Sequence, residues 1–289
     1  MAEHVEIVEM AARDGLQNEK RFVPTADKIA LIDRLSDCGY SRIEATSFVS
    51  PPKWVPQLAD STEVMAGIRR ADSVRYSALV PNMKGYEGAA AANVDEIAVF
   101  ISASEGFSKA NINCSIAESI ERLSPVIGAA INDGLAIRGY VSCVVECPYD
   151  GPVAPQAVAD VTEQLFSLGC HEVSLGDTIG RGTRDKVAAM LDAVLSIAPA
   201  HSLAGHYHDT GGRALDNIRV SLEKGLRVFD ASVGGLGGCP FAPGARGGNV
   251  DTVAVVEMLH GSGFETGLDL DKLKQASLFA QSLRQDKAA

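Results

Sequence analysis

Short runs rich in β-branched residues alternate along the chain with Ala- and Leu-rich stretches whose apolar positions recur at helical spacing. Each run is predicted to form a strand, and each following stretch is predicted to form a helix. The predicted strands cover residues 5–10, 42–48, 74–80, 96–102, 137–145, 172–177, 203–208 and 228–234. The predicted helices lie near residues 25–38, 60–71, 83–92, 116–133, 155–168, 183–197, 211–224 and 250–262.

Eight βα units in succession favour a closed (β/α)8 TIM barrel over an open doubly wound sheet. The sequence contains no linker or low-complexity tract, so residues 1–289 are expected to form a single catalytic barrel domain. The tail, about residues 269–289, is predicted to add a C-terminal helix. The leucines expected to pack this helix on the barrel wall are Leu270, Leu273, Leu278 and Leu283.

Composition and charge exclude several classes of function. The formal net charge of −11 argues against a nucleic-acid surface. No apolar run approaches the roughly 20 residues needed to cross a bilayer, and the acidic N-terminus lacks the features of a secretory signal. We therefore expect a cytoplasmic protein with no membrane partner. The six cysteines form no CxxC pair, which favours reduced thiols.

Polar residues cluster where the predicted strands end, which is where TIM-barrel enzymes place their active sites. We therefore expect most of them to meet at one mouth of the barrel. The residues concerned are Arg13, Asp14, Gln17 and Asn18 after strand 1, Glu44, Thr46 and Ser47 on strand 2, Tyr140 and Ser142 on strand 5, Asp177 and Thr178 at strand 6, and His206 and His208 on strand 7.

The segment GHYHDT, residues 205–210, suggests a metal site. In a strand, His206 and His208 point to the same face, and neutral imidazoles are ligands for divalent metals. Two hydrogen-bonded barrel histidines are the simpler alternative. Asp14 follows a neighbouring strand of a closed barrel, although alone it reads as a turn residue before Gly15. A mixed nitrogen and oxygen site of this kind suits Mg²⁺ or Mn²⁺.

A glycine-rich loop, GGLGGCPFAPGARGGN, follows strand 8 at residues 234–249. It matches no nucleotide-binding fingerprint, so it is either a lid over the mouth or a long βα loop of no special function. Cys239 at its centre is either a small packed residue or a thiol able to donate a proton near neutral pH. Asn249 at its end suits a helix N-cap, an oxygen ligand, or both.

Several long motifs, in order, resemble the 3-hydroxy-3-methylglutaryl-CoA lyase family within the metal-dependent, pyruvate carboxyltransferase-like TIM-barrel group. The resemblance runs from about residue 5 to residue 270. The matching motifs are ARDGLQNEK (12–20), the segment 43–57 apart from one extra proline, NINCS (111–115), RGYVSC (138–143), SLGDTIG (174–180), HYHDT (206–210) and GGLGGCPFAPGA (234–245).

The resemblance implies a retro-Claisen cleavage of 3-hydroxy-3-methylglutaryl-CoA to acetyl-CoA and acetoacetate, in leucine catabolism and ketone-body formation, by a homodimer. It implies that Mg²⁺ or Mn²⁺ is bound by Asp14, His206, His208 and Asn249. Arg13 would polarise the thioester oxygen, Cys239 would be the loop thiol, and Glu44 and Asp177 would be polar partners. Asp177 and His206 are the two candidates for the base. Gln17, Ser47, Tyr140, Ser142 and Thr178 are expected to bind substrate.

Three other functions compete with this one. Gly211 stands where the family usually has an aromatic residue, which favours a lyase for a 3-hydroxyacyl-CoA with a larger C3 substituent. A Claisen-type synthase is disfavoured because such enzymes usually carry a further regulatory domain. A barrel without catalytic activity is disfavoured by the crowded mouth. Lys109 and the N-terminus of the helix after strand 8 are candidate contacts for the CoA phosphates.

Overall fold

The protein, here a computed structural model, is described over residues 2–49, 54–238 and 248–284. Eight parallel strands close into a barrel in the order β2, β3, β4, β5, β6, β9, β10 and β11, with β11 paired to β2. This confirms the predicted TIM barrel. The strands are β1 (Glu3–His4), β2 (Glu6–Glu9), β3 (Arg42–Ser47), β4 (Arg75–Leu79), β5 (Glu96–Ser102), β6 (Ala136–Ser142), β7 (Glu146–Cys147), β8 (Gly151–Pro152), β9 (Glu172–Asp177), β10 (Leu203–Tyr207), β11 (Val228–Ala231) and β12 (Phe264–Glu265).

A helix follows each barrel strand and buries its apolar face against the outside of the barrel. The α-helices are α1 (Thr25–Ser36), α2 (Ser61–Gly67), α3 (Met83–Ala91), α4 (Glu105–Ile112), α5 (Ile116–Asn132), α6 (Pro155–Leu168), α7 (Arg184–Leu195), α8 (Ala214–Glu223), α9 (Thr252–Gly261) and α10 (Leu270–Arg284). The ends of the predicted elements differ from these by a few residues. The largest difference is at α2, which ends at Gly67 because Ile68 is extended.

The sequence did not predict the helix α4, the hairpin β7–β8 or the short parallel pair β1–β12. Helix α4 lies between β5 and α5, begins at the Ser104 N-cap, whose side chain accepts the Phe107 N–H, and ends at Asn113 in the left-handed conformation. A short antiparallel hairpin, β7–β8, follows β6, so the predicted strand 137–145 ends three residues early. Both insertions follow strands at the C-terminal end of the barrel, where active-site loops are found.

The barrel interior contains more charge than the branched aliphatic layers usual for this fold. Its apolar layer includes Val8, Met10, Leu79, Ala98, Tyr140, Ala204 and Val228. Below that layer, Arg42 and Arg138 both form ion pairs with Glu172. Side chains alternate across each strand, so these charged residues lie on the inward face of their strands.

Helix α10 packs against α1, α9 and the short 3₁₀ turn Val233–Gly235. Leu273 and Leu283 are buried and Leu270 packs against the core, as predicted. The prediction for Leu278 was wrong, because its side chain is 70% exposed on the outer face of the helix. At the end of the helix, Arg284 pairs with Glu19 and donates to the Gly237 carbonyl at 3.0 Å, next to the glycine-rich loop.

Within the ranges that the structure describes, the search for a helix both long enough and apolar enough to span a membrane finds none.

Candidate active site

A cavity of about 1030 Å³ opens at the C-terminal ends of the barrel strands. Its lining brings together predicted site residues from four different segments of the chain. These residues are Arg13, Asp14, Gln17, Tyr140, Ser142, Thr178, His206 and His208. The sequence-based expectation that polar strand ends meet at one mouth is therefore met for these eight residues.

Asp14 lies on a single π-helical turn, Ala11–Gly15, that follows β2 directly. The Gly15 backbone is so close to the segment after β11 that an added Cβ would lie 2.9 Å from the Leu236 Cβ. A larger residue at position 15 would displace this turn. In the sequence, a simple Asp-Gly turn was the alternative to a ligand role for Asp14. The structure has a wider turn, closed by the Gly15 N–H on the Met10 carbonyl at 3.0 Å, and it places Asp14 near His206 and His208.

His206 and His208 lie at the end of β10, with their Nε2 atoms 3.3 Å apart. An Asp14 oxygen is 3.9 Å from the His206 Nε2 and 3.6 Å from the His208 Nε2. One ligand atom from each of the three residues lies within 4.8 Å of the others. This spacing allows the three side chains to bind a single cation.

Asn249 is held beside this group by the backbone, because it pairs with His208 in an isolated antiparallel bridge. Its Nδ2 donates to Asp14 Oδ2 at 2.7 Å, while its Oδ1 is buried without a hydrogen-bond partner in the described structure. A buried, unpaired carbonyl oxygen beside two imidazoles and a carboxylate is an unfavourable arrangement unless it binds a ligand. The four residues therefore fit a divalent cation with mixed nitrogen and oxygen ligands.

Arg13 lies next to the group of candidate metal ligands and forms a second part of the site. Its Nε donates to Glu44 and its Nη1 donates to Asp14 at 2.6 Å. Glu44 also accepts the Tyr140 hydroxyl at 2.5 Å. Burial lowers the pKa of Arg13, but the charges of Glu44 and Asp14 outweigh this effect and hold that pKa above its ordinary value, so Arg13 stays cationic. This charge lies next to the metal ligands, at the wall of the cavity.

The two carboxylates Asp14 and Asp177 are shifted in opposite directions. Burial raises the pKa of Asp14, but the charge of Arg13 and a hydrogen bond from His208 outweigh it and hold that pKa well below the usual range. Burial raises the pKa of Asp177, and the N–H groups of Gly182 and Arg181 only partly offset this. The environment therefore keeps Asp14 ionised and makes the Asp177 carboxylate more basic than an ordinary aspartate.

Four predicted residues lie outside the described cavity lining, and Asn249, which reaches the site through its hydrogen bond to Asp14, is one of them. Glu44 contacts the cavity through Arg13 and Tyr140. Ser47 donates to the Leu79 carbonyl at 3.3 Å, which directs it away from the mouth. Asp177 accepts the backbone N–H groups of Arg181 and Gly182 at 3.0 and 2.7 Å. Cys239, predicted as the loop thiol, is outside the described residues.

Two weaker candidates are at the cavity. Lys109, predicted as a phosphate contact, lines the cavity together with Arg122. Trp54 also lines the cavity. Gly211 is exposed and is not among the described residues of the lining.

The sequence analysis missed three buried residues that support the site, namely Glu9, Arg138 and Asp230. Glu9 accepts the N–H groups of Ala11 and Val233 at 2.9 and 3.0 Å, which fixes the start of both site segments. Asp230 accepts a hydrogen bond from the His206 Nδ1 at 2.9 Å. Each is a charged residue in a predicted strand that is mostly apolar, and this feature of the sequence could have identified all three.

Comparisons with known proteins agree on one family. The model of the HMGL-like family matches residues 4–279. A Danio rerio protein named "3-hydroxy-3-methylglutaryl-CoA lyase, cytoplasmic" is 57% identical over 276 residues, which is 96% of this chain and 82% of the relative. Other relatives, such as the one from Bos taurus, carry the word mitochondrial in their names.

Two solved structures are also similar. The HMG-CoA lyase from Brucella melitensis is 91% identical, with a TM-score of 0.97 over 99% of this chain and 100% of that chain. An HMG-CoA lyase from Acinetobacter baumannii is 39% identical, with a TM-score of 0.92 over 97% of this chain and 91% of that chain. The second structure is described as a complex with coenzyme A and 3-methylmalate.

Proposed function

The chain belongs to the HMGL-like family, and we propose that it cleaves 3-hydroxy-3-methylglutaryl-CoA to acetyl-CoA and acetoacetate. The observation that supports this most directly is that Arg13, Asp14, His206 and His208 line one cavity. Asn249 and the Arg13 guanidinium both donate hydrogen bonds to the Asp14 carboxylate. The reaction is a carbon–carbon lyase step that serves leucine catabolism and ketone-body formation.

Asp14, His206, His208 and Asn249 would hold a divalent cation, with Mg²⁺ and Mn²⁺ the candidates. A cation bound there makes a coordinated hydroxyl group more acidic, as it does coordinated water. The unpaired Asn249 Oδ1 and the ionised Asp14 would supply the oxygen ligands. The His206 Nδ1 already bonds Asp230, which leaves Nε2 as the nitrogen available for the cation.

Arg13 would bind the thioester oxygen. Its Nε and Nη1 are engaged by Glu44 and Asp14, so Nη2 is the nitrogen that these bonds leave for a ligand in the cavity. When the C2–C3 bond breaks, its electron pair moves toward the thioester and the oxygen becomes negative. A fixed guanidinium stabilises this enolate more than the neutral thioester, which lowers the barrier.

The C3 hydroxyl must lose a proton to a base as the bond breaks, and Asp177 and His206 are the two candidates. Both ring nitrogens of His206 have other roles once Nε2 is used as a ligand. Each Asp177 oxygen accepts one backbone N–H and retains a free lone pair, and its raised pKa favours proton uptake. We therefore propose Asp177 as the base, reached by a small movement of the substrate or of the loop after β9.

The enolate carbon must then receive a proton, which gives the methyl group of acetyl-CoA. We assign this step to the Cys239 thiol. The support comes from its neighbour, since Gly238 lines the cavity and its carbonyl accepts the Asn18 side chain at 2.6 Å. Gln17, Ser142 and Thr178 line the same cavity and would contact the acyl group.

The CoA portion would extend toward α4 and α5, where Lys109 and Arg122 line the same cavity. These cations suit the CoA phosphates although the whole chain is acidic. The described complex of the Acinetobacter baumannii relative with coenzyme A supports an acyl-CoA ligand.

A larger 3-hydroxyacyl-CoA remains the alternative substrate. The argument for it from Gly211 is weakened because Gly211 lies outside the described lining of the cavity. We also propose, from the sequence resemblance, a cytoplasmic homodimer. Light scattering of the purified protein checks the oligomeric state.

The test is acetoacetate release from 3-hydroxy-3-methylglutaryl-CoA by chelator-treated protein, before and after Mg²⁺ or Mn²⁺ is added, for wild type and His208→Ala. We expect turnover that depends on the cation and is lost in the variant. Turnover that is equal with and without cation, in wild type and variant alike, would reject the metal site. Faster cleavage of a thioester with a larger C3 substituent would select the alternative substrate.

A further inference from the structure

Arg138 lies on β6 with its side chain inside the barrel, where it is 1% exposed. Its three guanidinium nitrogens donate to three different acceptors. Nε donates to Glu172 Oε1 at 2.6 Å, Nη1 to the Tyr140 hydroxyl at 2.8 Å, and Nη2 to Asp230 Oδ1 at 2.7 Å. Because all three nitrogens of this buried guanidinium donate hydrogen bonds, the three partners are held in fixed positions relative to one another.

The contact with Asp230 leads to the metal ligands. The other oxygen of Asp230 accepts the His206 Nδ1 at 2.9 Å and the Ser174 hydroxyl at 2.8 Å. His206 and Asp230 are direct neighbours in the parallel register of β10 and β11. A carboxylate bonded to one imidazole nitrogen orients the ring and sets which nitrogen is free for a cation. Arg138 thus holds the carboxylate that orients His206.

The contact with Tyr140 leads to the other half of the site. The Tyr140 hydroxyl accepts from Arg138 and donates to Glu44 Oε2 at 2.5 Å. The second Glu44 oxygen accepts the Arg13 Nε. Since a phenol has one proton, the bond from Arg138 leaves that proton for Glu44. This series of hydrogen bonds ends at the Arg13 guanidinium, to which we assigned the thioester oxygen.

We propose that Arg138 is a positioning residue that sets the metal half of the site, through Asp230 and His206, and the thioester half, through Tyr140, Glu44 and Arg13, at a fixed separation. The proposal rests on the proposed function. It goes beyond it because Arg138 lies below the cavity lining and acts on the substrate only through other residues. Lysine cannot replace it, since a single ammonium does not reproduce a planar fork with three separate acceptors.

Arg42 on β3 provides a matched control. It is also a buried arginine of the barrel interior, and it binds the same Glu172 through two nitrogens at 2.9 and 3.0 Å. Its other acceptor is Glu6, at the opposite end of the barrel from the cavity. None of its hydrogen bonds within the described ranges reaches Asp230, Tyr140 or Glu44. Arg42→Lys therefore disturbs the ionic interior without disturbing either half of the site.

The experiment compares wild type, Arg138→Lys, Arg42→Lys, Asp230→Asn and Tyr140→Phe. Mn²⁺ affinity is measured by electron paramagnetic resonance without substrate, and kcat is measured at saturating Mn²⁺ and substrate. We expect Arg138→Lys to weaken Mn²⁺ binding by about tenfold or more and to lower kcat further at saturating Mn²⁺. Asp230→Asn is expected to reproduce the loss of affinity, and Tyr140→Phe only the loss of kcat.

The differences in Mn²⁺ affinity and kcat among these variants test the positioning role of Arg138. If Arg138→Lys and Arg42→Lys have the same Mn²⁺ affinity and kcat within about twofold, the positioning role is wrong and Arg138 only stabilises the fold. Should Arg138→Lys fail to fold, Asp230→Asn and Tyr140→Phe still test the two arms, and equal effects of both on Mn²⁺ affinity would overturn the proposal. A wild type that binds no Mn²⁺ would instead reject the metal site of the proposed function.

Discussion

The Asn249 amide nitrogen donates to the Asp14 carboxylate at 2.7 Å, and its amide oxygen is buried with no hydrogen-bond partner among the described residues. The two side chains come from opposite ends of the chain and meet because His208 and Asn249 pair through their backbones. The hydrogen bond turns the amide so that its oxygen faces away from the Asp14 oxygen it contacts. Because the amide nitrogen is the atom that meets Asp14 Oδ2, the Asn249 side chain would turn its amide over to add an oxygen ligand to the two imidazoles and the carboxylate.

We predict that Asn249→Ala weakens Mn²⁺ binding by about tenfold or more, because it removes an oxygen ligand and frees the Asp14 side chain. Asn217→Ala is the control, since Asn217 is also buried with an unpaired Oδ1 but lies on α8. Titration with Mn²⁺ followed by electron paramagnetic resonance measures both. An Asn249→Ala protein that binds Mn²⁺ as tightly as Asn217→Ala would exclude Asn249 from the ligands.

The pH dependence of stability tests the buried Glu9 carboxyl. Burial raises its pKa from an ordinary 4.5 to about 7, although four hydrogen bonds oppose the rise. Between these values the unfolded chain releases the proton and the folded chain keeps it, so the free energy of unfolding falls as pH rises. The loss is at most about 3 kcal/mol and is complete above the folded pKa.

The Glu9→Gln variant resembles the protonated acid at every pH and lacks this loss. We expect its stability relative to wild type to increase between pH 4.5 and pH 7 and to stay constant above that range. Urea unfolding of both metal-free proteins across this range measures the difference. A difference that does not vary with pH would mean that the Glu9 pKa is not raised in the folded protein.

Lys109→Ala is predicted to raise KM for the CoA substrate several-fold with little change in kcat. A phosphate contact far from the reacting atoms stabilises the bound ground state and the transition state equally, so its loss weakens binding without slowing the bound substrate's reaction. The increase should shrink at high salt, as expected for an exposed ion pair. Lys274→Ala is the control, because Lys274 pairs with Glu257 on the outer surface. An unchanged KM for Lys109→Ala would place the phosphates elsewhere.

The same substitution is expected to have different effects on stability at two leucines of α10. Leu273 is fully buried, so Leu273→Ala should lower the free energy of unfolding by about 2–5 kcal/mol. Leu278 is 70% exposed, so Leu278→Ala should change it by about 0.5 kcal/mol or less. Helix propensity changes equally in both, which isolates burial. Equal losses in urea unfolding would show that Leu278 is covered, for example by a second copy of the chain.

Much of the fold followed from the sequence because each barrel strand and each covering helix carries its own hydrophobic period. The closed order of strands is the result of eight such units in succession. The exposed position of Leu278 did not follow, since the helical spacing of leucines alone does not tell which face meets the barrel. Helix α4 was missed because its eight residues, with Ser104 as N-cap, lie inside a polar segment that reads as a loop.

The predicted metal ligands came from residue type and strand parity, and the structure brings Asp14, His206 and His208 together. The supporting residues were harder to find. Arg138 and Asp230 fall on the inward face of their strands, but strand parity does not say which charged residues meet across the barrel. That information lies in the register, where His206 stands opposite Asp230, and in the size of the Arg138 side chain.

The barrel interior, where Arg42 and Arg138 share Glu172, also shapes the response of this protein to heat. Burying such charges is costly because each loses favourable contacts with water. The hydration of ions becomes less favourable as temperature rises, so this cost falls, while the gain from apolar burial levels off. The desolvation cost of this ionic interior is therefore smaller at high temperature than at low temperature.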